Sequence, residues 1–268
     1  MTEPLEKAVD WTLQARRRFL RLCLTFGAAV GAGLAGRRAG AAAAAVTVDA
    51  AIVLAADVSR SIDDEEFALQ RRGYADAIQS PKLIDAISTG PHGAIALAYV
   101  EWAGDGEEKL VTDWAIIRNQ ADASAFVARM TSAPRAYVGR TAIGTAIDFS
   151  FALFAESGFE TNRRVIDVSG DGTSNQGRFV TEARDAAVAG GAVINGLSIF
   201  NKKAAAMGGY LALHTNPPGG LAHYYHENVI GGPGAFVVQI DDFRTFGDAL
   251  LRKLVNEVAG TRPLDARG

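Results

Sequence analysis

The stretch "AADVSRSID", residues 55–63, decides how the chain reads. The apolar run VDAAIVLAA (48–56) stops at Asp57, and serines follow at alternate positions, Ser59 and Ser61. A short run that is apolar on both faces is the pattern of a strand buried inside a parallel sheet. In an extended or gently turning segment, residues 57, 59 and 61 project toward the same side. A buried strand therefore ends by delivering one carboxylate and two hydroxyls to a single small volume.

Outward from this point, short β-type runs alternate with longer helical ones. DDEEFALQRRGYADAIQ (63–79) opens with acids suited to a helix N-terminus, and Phe67, Tyr74 and Ile78 then recur at helical spacing. GAIALAYVEWA (93–103) reads as a second buried strand, with EKLVTDW (108–114) as its antiparallel edge neighbour. NQADASAFVARMTSA (119–133) is a helix candidate. A glycine-containing turn then leads into a helix carrying Ile143, Ile147, Phe151 and Phe154 on one stripe. RRVIDVSG (163–170), AVINGLSIF (192–200) and AFVVQI (235–240) are strands. GRFVTEARDAAVAG (177–190) and DDFRTFGDALLRKLVNEVA (241–259) are helices.

This alternation predicts an α/β fold. Its doubly wound sheet is mostly parallel and six-stranded, with one antiparallel edge strand and helices on both faces. One domain over residues 47–260 accounts for it, followed by a polar tail, 261–268. The Gly/Pro-rich, aromatic stretch 207–234 reads as an insertion covering part of one edge.

In such folds the site lies beyond the carboxyl ends of the strands, where strand order reverses. Asp57 stands at one such end. Asp171 stands just past VIDVSG, and Thr141 lies in the GRTAIG turn before a helix. Asp57, Ser59, Ser61, Thr141 and Asp171 form an oxygen-only set, which suits Mg²⁺ or Mn²⁺ rather than zinc. Two carboxylates against a divalent ion leave the site nearly neutral, able to accept one more carboxylate from outside. The bland reading of Ser59 and Ser61 is that they cap the helix starting near Ile62.

Asp-x-Ser-x-Ser after the first strand, a Thr in a glycine-flanked turn and a later Asp-Gly after a strand resemble the von Willebrand factor type A domain. The resemblance covers residues 48–258. It is nearest to a group of exported alphaproteobacterial domains of unknown function (DUF1194-like). It implies a metal-ion-dependent adhesion site in which Ser59, Ser61 and Thr141 bind the ion directly or nearly so. Asp57 and Asp171 would often act through water, and the open position would receive an acidic side chain of a partner protein. One departure is Asp167, which lies inside the strand and reads as a structural residue paired with Arg163 or Arg164. Thr145, a rival for Thr141, sits one turn into the helix and points away from the strand ends.

Enzyme readings fit less well. SGDGTSN (169–175) is similar to the phosphate-cradling loop of lipid and NAD kinases, but that family leaves DVSRS without a purpose. A metal-dependent enzyme on phosphorylated substrates is the alternative function. Aspartyl-phosphate phosphatases need Asp-x-Asp, and Ser59 occupies the second place. HYYHEN (223–228) matches no zinc-protease spacing, and His92 and His214 show no partner in the sequence. The expectation is no catalysis.

Composition agrees with a globular domain: 268 residues, 49% hydrophobic, with a net charge of −3 that gives no reason to expect nucleic acid. Residues 1–45 nevertheless carry seven basic and three acidic residues, leaving 20 basic and 27 acidic in the remainder. ARRRFLR (15–21) precedes the weakly apolar LCLTFGAAVGAGLAG (22–36), then RRAGAAAAAV. This is the layout of a cleavable export signal, and RRRFLR (16–21) closely resembles the twin-arginine consensus. Fifteen apolar residues fall short of the roughly 20 needed to span a bilayer, which makes a retained anchor the lesser reading. The expected location is periplasmic or secreted, with no membrane association after cleavage. Cys23 is the single cysteine and lies in this leader, so the exported domain would have no disulfide.

Overall fold

A computed structural model describes residues 45–260; the expectations for the leader up to residue 44 and for the tail 261–268 lie outside it. β1 (Val46–Thr47) pairs in parallel with β5 (Phe159–Glu160) as a separate two-residue ribbon. The main sheet has six strands. They are β2 (Ala50–Asp57), β3 (Ile95–Trp102), β4 (Glu108–Ile117), β6 (Arg164–Gly170), β7 (Ala192–Ile199) and β8 (Val237–Ile240). Their order is β4-β3-β2-β6-β7-β8, parallel except for the β3–β4 pair.

All eight residues of β2 are buried, because the strand is central and covered on both faces. Ile52, Leu54 and Ala56 face one core, shared with Tyr74 and Ile78 of α1 (Asp64–Ile78) and with Phe246, Leu250 and Leu254 of α9 (Phe246–Ala259). Ala51, Val53 and Ala55 face the other. There they meet Ile143 and Ile147 of α4 (Ile143–Ala152) and Ala183 of α5 (Val180–Ala189). The alternation of β2 thus divides its side chains between two helix layers.

The chain leaves β2 to form β3 on one side and later returns to form β6 on the other. Strand order reverses between β2 and β6, and the crevice of a doubly wound sheet opens there. Asp57 and Asp171 are at its lip.

Several expectations are corrected. α1 begins at Asp64 with Asp63 as its N-cap, as the acids opening this segment suggested, so the alternative of a serine cap does not hold. Asp63 Oδ1 accepts from Glu66 N (2.9 Å) and Glu66 Oε2 accepts from Asp63 N (3.0 Å), a reciprocal box that satisfies two otherwise free amides. A helix α2 (Pro81–Ser88) was not expected; it opens on Pro81 and is only eight residues long, with Leu83 and Ile87 buried four positions apart on one face. α3 (Gln120–Ser132) follows β4 as anticipated.

Stretch 207–234 is largely helical, and its Gly231 bridges to Ile194 of β7, before the point at which β8 pairs with that strand. After α6 (Lys202–Ala206) it forms α7 (Gly209–Thr215), α8 (Leu221–Tyr224) and a π-helical turn at Tyr225–Val229. His214, Thr215, Leu221, Tyr225 and Val229 are buried, with Tyr225 close to Gly170 and Gly196 of the inner strands β6 and β7. Leu221, Tyr225, Val229 and Ile230 give the segment the apolar anchors that its glycines and prolines obscured.

Asp167 also differs from expectation. Its partner is Lys253 of α9, with Nζ 2.5 Å from Oδ1, whereas Arg163 reaches the carbonyls of Glu257 and Val258. Arg164 is exposed. Position 167 faces the α9 side, so proximity in sequence to the arginines is irrelevant.

Candidate functional site

Four of the five expected residues are joined or adjacent at the crevice. Asp57 ends β2 and is fully buried; its Oδ1 accepts from Ser59 N at 2.7 Å. Ser59 Oγ lies 3.2 Å from Ser61 Oγ, and Ser61 Oγ donates to Asp171 Oδ1 at 2.6 Å. Asp171 follows β6 and is also fully buried. Residues 110 positions apart in sequence are thereby in direct contact.

Thr141 is buried at the same crevice but does not join that chain of bonds. Its hydroxyl lies 3.2 Å from His214 Nε2. Its turn is tied to the serine loop by Arg60 N donating to Gly139 O (2.9 Å). It is tied to the segment after Asp171 by Asn175 N donating to Thr141 O (2.8 Å). Thr141 and Ser61 line one cleft of about 850 Å³. Thr145, one turn on, was expected to point away from the strand ends, but it donates to Asp105 Oδ1 (2.8 Å) in the loop just past the carboxyl end of β3.

The electrostatics are those of a site short of positive charge. Burial, and next the charge of Asp171, push the Asp57 carboxyl up to about 8, against the hydrogen bonds from Ser59. Burial pushes Asp171 up to about 6, opposed by Ser61 and Asn201. Asp57 Oδ2 is buried and has no hydrogen-bond partner. Such an oxygen costs free energy unless something meets it. The donor set therefore fits a hard divalent cation. Among the described residues no group of three or more His, Cys, Asp or Glu is placed to hold a metal. Hydroxyl and water oxygens would have to complete any coordination.

Five supporting residues had escaped sequence reasoning. Gln70 Nε2 donates to Asp57 O (2.9 Å). Arg135 Nη2 donates to the carbonyls of Val58 (2.9 Å), Ser59 (3.1 Å) and Ile62 (2.9 Å), clamping the serine loop. Asn201, just past β7, donates from Nδ2 to Asp171 Oδ2 (2.8 Å) and Ser61 O (3.0 Å). Its position at a strand's carboxyl end is a signal that could have found it. His214, read as partnerless, lies between Thr141 Oγ1 and Thr173 Oγ1, each 3.2 Å away. Burial lowers its pKa, favouring the neutral ring. Only the fold shows this, since α7 is distant in sequence from both threonines.

Tyr225 is the fifth. Its hydroxyl is buried without a partner, like Asp57 Oδ2, and Gly170 separates the two. A Cβ at Gly170 would lie 2.6 Å from the tyrosine oxygen and 2.9 Å from Asp57 Oδ2. Gly170→Ala is expected to lower stability by roughly 1–3 kcal/mol through overpacking, read as a lower urea midpoint. An unchanged midpoint would mean that the ring and the carboxylate yield freely.

A mostly parallel six-stranded sheet of this order, covered by helices on both faces, has the von Willebrand factor type A architecture. The sequence over residues 47–262 matches the family described as "Protein of unknown function (DUF1194)", and the chain belongs to that family. By sequence, no curated protein matches it. Among solved structures it is similar to proximal thread matrix protein 1 from the mussel byssus. That match has TM-score 0.58 and 15% identity over 80% of this chain and 49% of the mussel protein. A second structure of the mussel protein, described as having a zinc-occupied MIDAS motif, matches with TM-score 0.55 and 16% identity, over 80% and 49%. The von Willebrand factor type A protein from Catenulispora acidiphila matches with TM-score 0.52 and 14% identity, over 79% and 43%. At these identities the likeness is one of fold. The chain spans about half or less of the length of these solved neighbours.

Proposed function

We propose that this domain binds a divalent cation, Mg²⁺ or Mn²⁺, and through it an acidic side chain of a partner protein. Ser59, Ser61 and Thr141 would supply oxygens to the ion directly or nearly so, and Asp57 and Asp171 chiefly through water. The observation that carries the reading is the Ser59–Ser61–Asp171 hydrogen-bonded chain beside the partnerless Asp57 Oδ2. When bound, the cation offers a Lewis-acidic position to an incoming carboxylate. Two buried carboxylates balance its charge, so the incoming group meets no repulsion.

The reading is non-catalytic. It is supported by the fold shared with a protein whose structure is described as having a zinc-occupied MIDAS. The hard oxygen donors favour Mg²⁺ or Mn²⁺ over zinc here. Among the described residues no helix is long and apolar enough to cross a membrane. Recognition or assembly in the periplasm is the setting that the basic, weakly apolar leader suggests.

Calorimetric titration with Mg²⁺, Mn²⁺ and Zn²⁺ tests the first step. Capture of partners with and without EDTA tests the second. The expected result is saturable one-site binding and EDTA-sensitive capture, both lost in Asp57→Ala. Capture that persists in Asp57→Ala would defeat the adhesion reading.

A further inference from the structure

The cleft lined by Ser61 and the buried Thr141 has an apolar part and a charged part. One wall belongs to α7 and the segment before it, and carries Met207, Tyr210 and Leu211. Met207 is 76% exposed and Tyr210 66%, a high exposure for side chains of this size. Tyr210 is nonetheless held in place. Its ring stacks on the buried His214 at 5.7 Å and 8°, and its hydroxyl accepts from Asn175 Nδ2 at 3.0 Å. A rigid, exposed aromatic ring loses little freedom on binding and is the usual form of an interface anchor.

Arg60 and Arg140 also line the cleft; both are exposed, and neither forms an ion pair among the described residues. Lys203, also at the cleft, is by contrast engaged by Asp63 (2.8 Å) and Glu65 (3.1 Å). The cleft thus brings together the Ser61 and Thr141 side of the proposed cation site, exposed apolar side chains and two arginines that form no ion pair among the described residues.

We infer that the partner segment presents an acidic side chain together with a bulky apolar one, in extended conformation, with the apolar residue two positions from the acid. This rests on the cation reading above and names the kind of partner that the same site takes. Tyr210 is one aromatic ring removed from the Thr141 hydroxyl, since His214 lies between them. In an extended chain, side chains two positions apart share a face and are about 7 Å apart. The acid would reach the ion, the apolar group would cover Met207 and Tyr210, and the arginines would attract further negative charge. A phosphorylated small molecule would use the ion and the arginines but leave the apolar wall bare.

Three identically labelled peptides test this on the full chain by fluorescence anisotropy: acetyl-Gly-Glu-Gly-Phe-Gly-amide and its Glu-Gly-Gly and Gln-Gly-Phe counterparts. Mg²⁺ binding is measured separately by calorimetry. The expected result in Mg²⁺ is that the Glu-Gly-Phe peptide binds at least tenfold tighter than Glu-Gly-Gly. Gln-Gly-Phe should not bind, and nothing should bind in EDTA. Met207→Ser should narrow the tenfold preference to about twofold while leaving Mg²⁺ affinity unchanged, and Tyr210→Ser should also narrow it. Equal binding of the two glutamate peptides, or no peptide binding by a protein that takes up Mg²⁺, overturns the inference and leaves cation binding standing. So does preference for inorganic phosphate over all three. Absence of Mg²⁺ uptake would remove the underlying reading instead.

Discussion

Asp57→Asn is expected to raise the melting temperature of the protein in EDTA and to abolish its response to Mg²⁺. Asp57 is fully buried, its Oδ2 has no partner, and Asp171 is near enough to repel it. Burying an uncompensated carboxylate costs several kcal/mol even after relaxation. Asparagine keeps an oxygen to accept from Ser59 N and carries no charge to bury. The cation-free variant should therefore gain on the order of 1–3 kcal/mol, a rise of roughly 3–10 °C for a domain of this size. The parent, but not the variant, should be stabilised by cation, by about 2.7 kcal/mol at a hundredfold excess over Kd. Adding Mg²⁺ then raises the parent's melting temperature up to or past that of the variant. Should Asp57→Asn melt lower in EDTA, Asp57 serves a structural bond and no charge deficit exists.

Lys253→Ala should be the most damaging single change outside the site. Lys253 is fully buried, 2.5 Å from Asp167 Oδ1 and 2.6 Å from Glu257 Oε1, and Asn195 Nδ2 donates to the same Glu257 oxygen at 2.7 Å. Burial alone would lower the lysine's pKa, but Asp167 and Glu257 more than offset it, so the ammonium stays charged. Its removal leaves two buried carboxylates without a cation, a loss of about 3–5 kcal/mol. A triple variant, Asp167→Asn, Lys253→Met and Glu257→Gln, removes charge from all three and should lose far less. Urea unfolding of both variants at neutral pH separates charge imbalance from lost packing. If the triple variant is as unstable as Lys253→Ala, packing is the cause.

The same cluster gives a signed pH dependence. Burial, opposed by Lys253, pushes Asp167 up to about 7 in the folded protein, from 3.8. Between about pH 4 and pH 7 the folded state holds a proton that the unfolded state has lost. Stability from this group therefore falls as pH rises across that window. Asp167→Asn should remove that part of the slope, and the difference between the parent and variant urea midpoints isolates it from Asp57 and Asp171.

How far the sequence spoke depended on whether the signal was local. The strand β2 announced itself because all eight residues are buried and apolar up to Asp57. The helix α2 was missed although its buried Leu83 and Ile87 are four positions apart, because the whole element is only eight residues long. Ser59 and Ser61 admitted two readings until Asp63 proved to be the cap, a choice settled by a reciprocal bond with Glu66. Asp167 was rightly taken as structural, but its partner lies 86 positions away on α9, beyond reach of any local pattern.

By itself the sequence determined the sheet's class and the carboxyl-end positions of Asp57 and Asp171, because burial on two faces and strand-helix alternation are written in successive residues. Tertiary structure alone decided that Arg135, His214 and Tyr225 surround that cluster and that an aromatic wall stands beside it. Contacts of this kind depend on where distant loops meet above the sheet, and no periodicity in the chain encodes that meeting.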